Sequence, residues 1–275
     1  VATWTEPTAT DNCGLASLTG THASGATFAV GTTTVTYTAL DIHGNTATSS
    51  ITVTVTDDED PSITGTPANI SLNNDAGNCT AVGSWTAPTA ADNCGIASFT
   101  SDYNSGAAFP VGTTTVTYTA TDIYSNTTTS TFTVTVTDNE QPTISGMPAN
   151  ISLNNDAGNC TALANWTAPT AADNCGIATF TSDYNSGAAF PVGTTTVTYT
   201  ATDIHSNTRT ATFTVTVTDD EPPTHRGTPA NITQTADAGQ CSTSVNYTAP
   251  TAADNCGMSA FYGDATSGDS FPVGT

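Results

Sequence analysis

The residues of this chain with the most obvious chemistry are seven cysteines, four of them preceded at a fixed distance by an aspartate. The heptapeptide TAADNCG ends at Gly95, Gly176 and Gly257, and a close relative, TATDNCG, ends at Gly14. An aspartate two residues before a cysteine can belong to a metal site, an activated thiol or the frame of a disulfide. Zinc needs four soft ligands per site, and each copy of the motif comes with only two cysteines and no recurrent histidine. An activated thiol wants cationic neighbours, and the chain has 2 Lys+Arg against 24 Asp+Glu. The disulfide reading is the one that fits, and it implies an oxidising compartment.

Cysteine spacing also exposes the organisation of the chain. Cys13, Cys94, Cys175 and Cys256 recur every 81 residues, and so do Cys79, Cys160 and Cys241. Trp4, Trp85 and Trp166 keep the same step, with Tyr247 in the fourth place. At this length each repeat can be a small domain of its own rather than one turn of a solenoid. The expected units are a partial repeat at 1–56, whole repeats at 57–137 and 138–218, and a partial repeat at 219–275. Because the pattern starts and stops inside a repeat, the chain is expected to be an excerpt of a longer polypeptide. Cys79 and Cys94, Cys160 and Cys175, and Cys241 and Cys256 each stand 15 positions apart, so each pair is expected to close a loop within its own repeat. Cys13 would then find its partner outside the chain. A staple over such a loop stabilises a small domain by about 3 kcal/mol.

The elements that must position these groups are strands. In TTTVTYTAT (113–121) Val116, Tyr118 and Ala120 alternate with threonines, and TFTVTVTD repeats the period with Phe132, Val134 and Val136. ANISLN, CTAVGSWTA and GIASFTSD supply further short strands between turn-formers such as NNDAGN, NSGAAFPVGT and DIYSN. No helical apolar stripe occurs. About seven short strands per repeat, with a tryptophan near cysteines, is the pattern of an all-β tandem array of immunoglobulin-like β-sandwich domains. Acidic junctions carrying proline, TDDEDPSI, TDNEQPTI and TDDEPPTH, separate the repeats and are too short to be floppy.

FPVGTTTVTYTATD at Phe109 and Phe190, DIHGN at Asp41, the DNCG boxes and the acidic junction followed by PAN resemble the hyalin repeat (HYR) domain. That resemblance spans the whole chain. It implies an immunoglobulin-like extracellular module used in tandem for adhesion or architecture. One departure is the DIHGN turn, whose glycine is replaced by Ser125 and Ser206.

Composition bounds the partners. A formal charge of −22 repels nucleic acid and anionic membrane surfaces and favours cations. No stretch approaches the roughly 18 apolar residues of a membrane span, so no membrane insertion is expected. The charged fraction is only 9%, so hydroxyls and amides must keep the surface wet, and threonine is close to a quarter of the chain. Hard oxygen ligands gather at Asp57, Asp58 and Glu59, at Asp138 and Glu140, and at Asp219, Asp220 and Glu221. With Asp92 and Asp173 of the DNCG boxes and Asp122 and Asp203 of the turns, they form a candidate Ca²⁺ set at the junctions, weighed against plain turn chemistry. Sequons stand at Asn69, Asn78, Asn126, Asn150, Asn159, Asn165, Asn231 and Asn246, so attached glycans are a candidate modification.

Catalysis finds no recurrent base. His22, His43, His205 and His225 do not repeat, and Tyr124 takes the place held by His43 and His205. The expected function is a secreted or cell-surface structural stalk, fibre or filament capable of self-association, and not an enzyme. The alternative is an adhesin reading a glycan or protein through the loops at one pole, with SDYNSGAAFP offering the aromatic.

Overall fold

Alternating threonine and apolar residues build the longest strands of the molecule. The computed structural model describes residues 1–274, all β and turn. The chain divides into two compact units, one formed by Val1–Leu72 with Ala81–Val136, the other by Asn73–Thr80 with Thr137–Thr275.

The first unit opens with β1 (Leu15–Gly20), β2 (Gly31–Asp41) and β3 (Thr46–Val55), an antiparallel sheet in that order. A whole repeat follows: β4 (Ser62–Thr64), β5 (Ile70–Asn73), β6 (Thr80–Val82), β7 (Thr89–Ala91), β8 (Ile96–Ser101), β9 (Ala108–Pro110), β10 (Gly112–Asp122) and β11 (Thr127–Thr137). Its main sheet runs β5-β11-β10-β8, and two ribbons, β4-β7 and β6-β9, complete the sandwich. Val116, Tyr118, Phe132, Val134 and Val136 point inward from the sheet to meet Ala81 and Phe109 from the ribbon. Trp85 closes this core: its indole donates to the Tyr118 hydroxyl at 2.8 Å and its ring meets Phe132 edge-on at 5.2 Å. On the opposite face threonine faces threonine across β10 and β11, from Thr113 with Thr135 to Thr121 with Thr127.

The second unit repeats this plan in β12 (Thr143–Ser145), β13 (Ile151–Asn154), β14 (Thr161–Leu163), β15 (Thr170–Ala172), β16 (Ile177–Ser182), β17 (Ala189–Pro191), β18 (Gly193–Asp203) and β19 (Thr208–Thr218). Here β13 joins β19 in parallel, Ile151 opposite Val215 and Leu153 opposite Val217. The final segment holds only ribbon strands, β20 (Thr224–Arg226), β21 (Ser242–Ser244), β22 (Thr251–Ala253) and β23 (Ser270–Pro272), paired as β20-β22 and β21-β23. No helix among the described residues is long and apolar enough to cross a membrane.

Parallel pairing within a sandwich decides the geometry of everything below. Because β13 runs alongside β19, the loop after β13 emerges at the trailing end of its repeat, where β19 leads into the next one. The DNCG turn follows β15, which pairs with the first strand of the repeat, β12, and so sits at the leading end. The two cysteines of one repeat therefore lie at opposite ends of it.

Candidate functional site: the joint between repeats

The DNCG aspartate is a turn residue that presents the cysteine. Asp173 Oδ1 accepts from the amides of Cys175 at 2.9 Å and Gly176 at 3.2 Å. Asp92 does the same for Cys94 and Gly95, and Asp11 for Cys13 and Gly14. A short carboxylate satisfying two successive amides fixes such a turn without help from the sequence around it.

The thiols so presented do not pair within their repeats. Cys79 is bonded to Cys175 and Cys160 to Cys256, each over a sequence separation of 96. The expected pairs Cys79–Cys94, Cys160–Cys175 and Cys241–Cys256 are thereby replaced, for the reason just given: a loop at the trailing end meets the DNCG turn at the leading end of the following repeat. Cys13, Cys94 and Cys241 carry free thiols. Closing a loop of nearly 100 residues constrains the unfolded chain more than the short loop would, by about 4–5 kcal/mol against about 3.

Hydrogen bonds surround both staples in the same pattern, all within the second unit. At the first, the Asn74 amide donates to Thr137 O at 3.0 Å, and Asn74 Oδ1 accepts from the Asn139 amide at 3.1 Å. Glu140 Oε1 accepts from the Gly77 amide at 2.8 Å, while Asn174 Nδ2 donates to Asn78 O at 2.9 Å. At the second, Asn155, Glu221 and Asn255 take these roles with Thr218 and Asp220, Gly158, and Asn159. Asn154 Nδ2 also donates to Asp220. The joint is thus a loop held by one covalent bond and a ring of polar contacts.

The candidate Ca²⁺ ligands separate into two groups. Asp57 with Asp92, Asp138 with Asp173, and Asp219 with Asp254 bring carboxylate oxygens within 4.8 Å of one another and of a cysteine sulfur. Asp122 and Asp203 are spent elsewhere. Asp203 Oδ1 accepts from the amides of His205 and Asn207, both at 2.8 Å, and Oδ2 from Asn207 Nδ2 at 2.8 Å. Asp122 is clamped identically by Tyr124 and Asn126. Burial alone would raise both carboxyls, but these hydrogen bonds outweigh it and hold them below the ordinary carboxylate value. Glu140 and Glu221 are occupied by the loop amides, Glu59 Oε2 accepts from Asn93 Nδ2 at 2.9 Å, and Asp58 is exposed outside the cluster. Two aspartates supply at most four of the six to eight oxygens Ca²⁺ prefers, and the neighbouring sulfur is too soft to add to them.

Three further positions are informative. Ser125 and Ser206 hold φ of 78° and 76°, so serine keeps the left-handed turn that Gly44 makes at 92°. His205 Nδ1 lies 3.1 Å from Asp138 Oδ2, a pairing for which the sequence pattern gave no signal, since Tyr124 fills the same place one repeat earlier. Tyr103 and Tyr184, the aromatics of the SDYNSGAAFP loops, meet Phe109 and Phe190 with tilted rings and pack, partly buried, against the cores.

The model of the HYR domain family matches residues 1–55, 56–136, 137–217 and 218–275. The chain belongs to the HYR family. The "Hyalin" of Strongylocentrotus purpuratus is 40% identical over 282 residues, covering 98% of this chain and 24% of that protein. The "Hyalin" of Lytechinus variegatus is 39% identical over 283 residues, covering 99% of the chain and 53% of that protein. The chain therefore spans about half, or a quarter, of the hyalins it matches. Among solved structures, a protocadherin gammaB7 EC3-6 cis-dimer structure aligns at 17% identity and a TM-score of 0.32, covering 82% of this chain and 69% of that one. These HYR repeats are thus hyalin-like along the whole chain, with two disulfides that each cross from one repeat to the next.

Proposed function

We propose that this chain is a structural, non-enzymatic part of an extracellular or cell-surface array, a stalk, fibre or filament whose repeats are coupled covalently at their joints. The observation that supports this reading best is the Cys79–Cys175 and Cys160–Cys256 pair of repeat-crossing disulfides. A disulfide inside a domain protects that domain alone, whereas one across a joint restricts hinge motion and carries tension past the linker. Oxidising surroundings follow from the same bonds. Tyr103 and Tyr184, the aromatics of an adhesive reading, pack partly buried against the cores, which favours the structural reading over it.

Small-angle scattering of the oxidised and the reduced chain tests this. Reduction is expected to widen the distribution of maximum dimensions while the far-ultraviolet circular dichroism stays unchanged. Identical scattering in both states would remove the mechanical role.

Ca²⁺ enters the proposal at the paired aspartates rather than at the full set of junction acids. What favours it is that Asp92 Oδ2 and Asp173 Oδ2 are buried with no hydrogen-bond partner. Backbone carbonyls and water would have to complete the shell, so the affinity expected is that of a weak extracellular site, in the range of about 10⁻⁴–10⁻³ M. Calorimetric titration with millimolar Ca²⁺ checks it, and absence of heat speaks against it. Attached glycans belong to the proposal at exposed sequons such as Asn165, Asn231 and Asn246. At Asn126 the amide nitrogen that would carry the sugar already donates to Asp122 Oδ2 and Asp57 O.

A further inference from the structure

Each staple crosses one joint, and the two staples also interleave. Cys79 is bonded to Cys175 and Cys160 to Cys256, so the second bond begins before the first has ended. A continuous covalent line therefore runs from Cys79 across to Cys175, back along the chain to Cys160, and across again to Cys256. Its main-chain part is the segment from Cys160 to Cys175, 15 positions long, although Cys79 and Cys256 stand 177 positions apart.

This segment lies as a strap along the repeat built from β12 to β19. Cys160 belongs to the loop at the trailing end and Cys175 to the DNCG turn at the leading end, so tension on the two bonds pulls the strap along its own length. Its two ends are extended already, as Thr161–Leu163 and Thr170–Ala172, and no glycine interrupts it. Ala162 and Ala164 are buried in the core. Trp166 pins the middle: its indole donates to the Tyr199 hydroxyl at 2.8 Å and its amide to Ser186 Oγ at 2.8 Å. The strap pairs only with the ribbon partners, β14 with β17 and β15 with β12, and takes no place in the main sheet β13-β19-β18-β16.

We propose that the interleaved staples are an extension stop: residues 160–175 and the two disulfides form the shortest covalent path through this repeat and withhold the rest of it from tension. This role rests on the structural reading above but differs from hinge restriction, because it applies once the joints are already straight. A chain under tension lengthens until its shortest covalent path is taut, whatever else has unfolded. A strap of 15 residues is taut at about 50 Å. The folded repeat is about 37 Å long, judged from the 11 residues of β18 at about 3.4 Å each. Stretch is thereby limited to about 1.4-fold, whereas an unstapled repeat of 81 residues would run out to about 280 Å, more than about sevenfold. The main sheet can open without the array lengthening, and it refolds from a short tether, which lowers the entropic cost of bringing its strands together again.

Stretching the 275-residue chain by its two ends in an atomic force microscope tests this, with unbonded thiols capped by iodoacetamide in both the oxidised and the reduced protein. The oxidised chain is expected to reach a contour length shorter than that of the reduced chain by about 160 residues, or about 550 Å. Interleaving leaves a second signature. Cys160→Ser with Cys256→Ser keeps one staple, Cys79→Ser with Cys175→Ser keeps the other, and each pair of changes should hide 96 residues. Because the strap is shared, both staples together should hide about 100 Å less than the sum of the two alone. The comparison of oxidised with reduced wild-type chain stands even where a variant folds poorly. Equal contour lengths in the two states, a shortening of only about 50 Å per bond, or a shortening equal to the sum of the single staples would overturn the proposal. Scattering unchanged on reduction together with the expected shortening would remove hinge restriction and keep the stop; altered scattering with equal contour lengths would do the reverse.

Discussion

Cys94 and Cys175 occupy the same place in successive repeats, yet one is a buried-edge thiol and the other half of a disulfide. Around Cys94 the polar groups turn on one another: Asn93 Nδ2 donates to Glu59 Oε2 at 2.9 Å, and the thiol rests against Asp57. Around Cys175 the equivalent groups turn outward to the loop at 73–80: Asn174 donates to Asn78 O and Glu140 accepts from the Gly77 amide. The same residue types thus satisfy themselves in two ways, and the arriving loop exchanges one set of hydrogen bonds for another. Exchange of this kind costs little, so the disulfide and the buried apolar contacts decide the net gain. The acceptance of its hydrogen by Asp57, then burial and the charges of Asp57, Asp92 and Asp122, push the Cys94 thiol up to about 11. The Cys94 thiol is therefore chemically quiet at neutral pH.

Breaking the contrast outright requires removing the staple. Replacing Cys79 and Cys175 together by serine should destabilise the second unit by about 4–5 kcal/mol, read from denaturant unfolding of oxidised protein. Cys94→Ser should change stability by no more than about 0.5 kcal/mol, because that thiol closes nothing within the chain. Equal effects at the two positions would mean that Cys94 carries structural strain of its own.

Acid should act on both regions alike and so sharpen what is specific to the staple. Asp122 and Asp203 are held below the ordinary carboxylate value of about 3.9 by the same hydrogen bonds in both units. A depressed native pKa contributes stability that is complete above the unfolded value and is lost as pH falls through the native one. The melting temperature should hold steady down to about pH 4 and drop below it, in oxidised and reduced protein equally. Asp122→Asn and Asp203→Asn should each weaken the turn already at neutral pH, because a side-chain amide replaces an acceptor oxygen in the clamp.

The polar ring predicts a smaller asymmetry. Glu140→Ala and Glu221→Ala each remove a charged acceptor from a loop amide and should cost about 1–2 kcal/mol, whereas Glu59→Ala, whose partner Asn93 can turn to water, should cost about 0–0.5. Comparable losses at all three would show that the arriving loop does not select these contacts.

Much of this was legible in the residues and some of it could not be. The 81-residue step, the period-two strands and the inward Val116, Tyr118, Phe132 and Val134 follow directly from alternation, because side chains in a strand change face at every residue. Disulfide partners did not follow. In a strictly periodic chain a cysteine 15 residues ahead has an equivalent 96 ahead, and nothing local distinguishes them. What distinguishes them is the parallel placement of β13 on β19, a non-local pairing that sends the loop to the far end of the repeat. Asp122 and Asp203 misled for a related reason: an aspartate in a turn and an aspartate on an ion look alike until the amides of Tyr124 or His205 are seen pointing at it.

The smallest expected effect concerns the turn shared by the first three repeats. Gly44, Ser125 and Ser206 adopt the same left-handed backbone, and for a residue with a Cβ that conformation costs about 1–2 kcal/mol. The three-point clamp of the preceding aspartate over-determines the turn, which is why serine is tolerated there. Ser125→Gly and Ser206→Gly should relieve part of that cost, offset by the greater freedom glycine has in the unfolded chain, for a net gain of about 0.5–1 kcal/mol at each position. The two gains should match, since the clamps match. A larger gain at Ser206 alone would show that the contact of His205 with Asp138 strains its turn, making the stapled joint a load on the repeat that receives it.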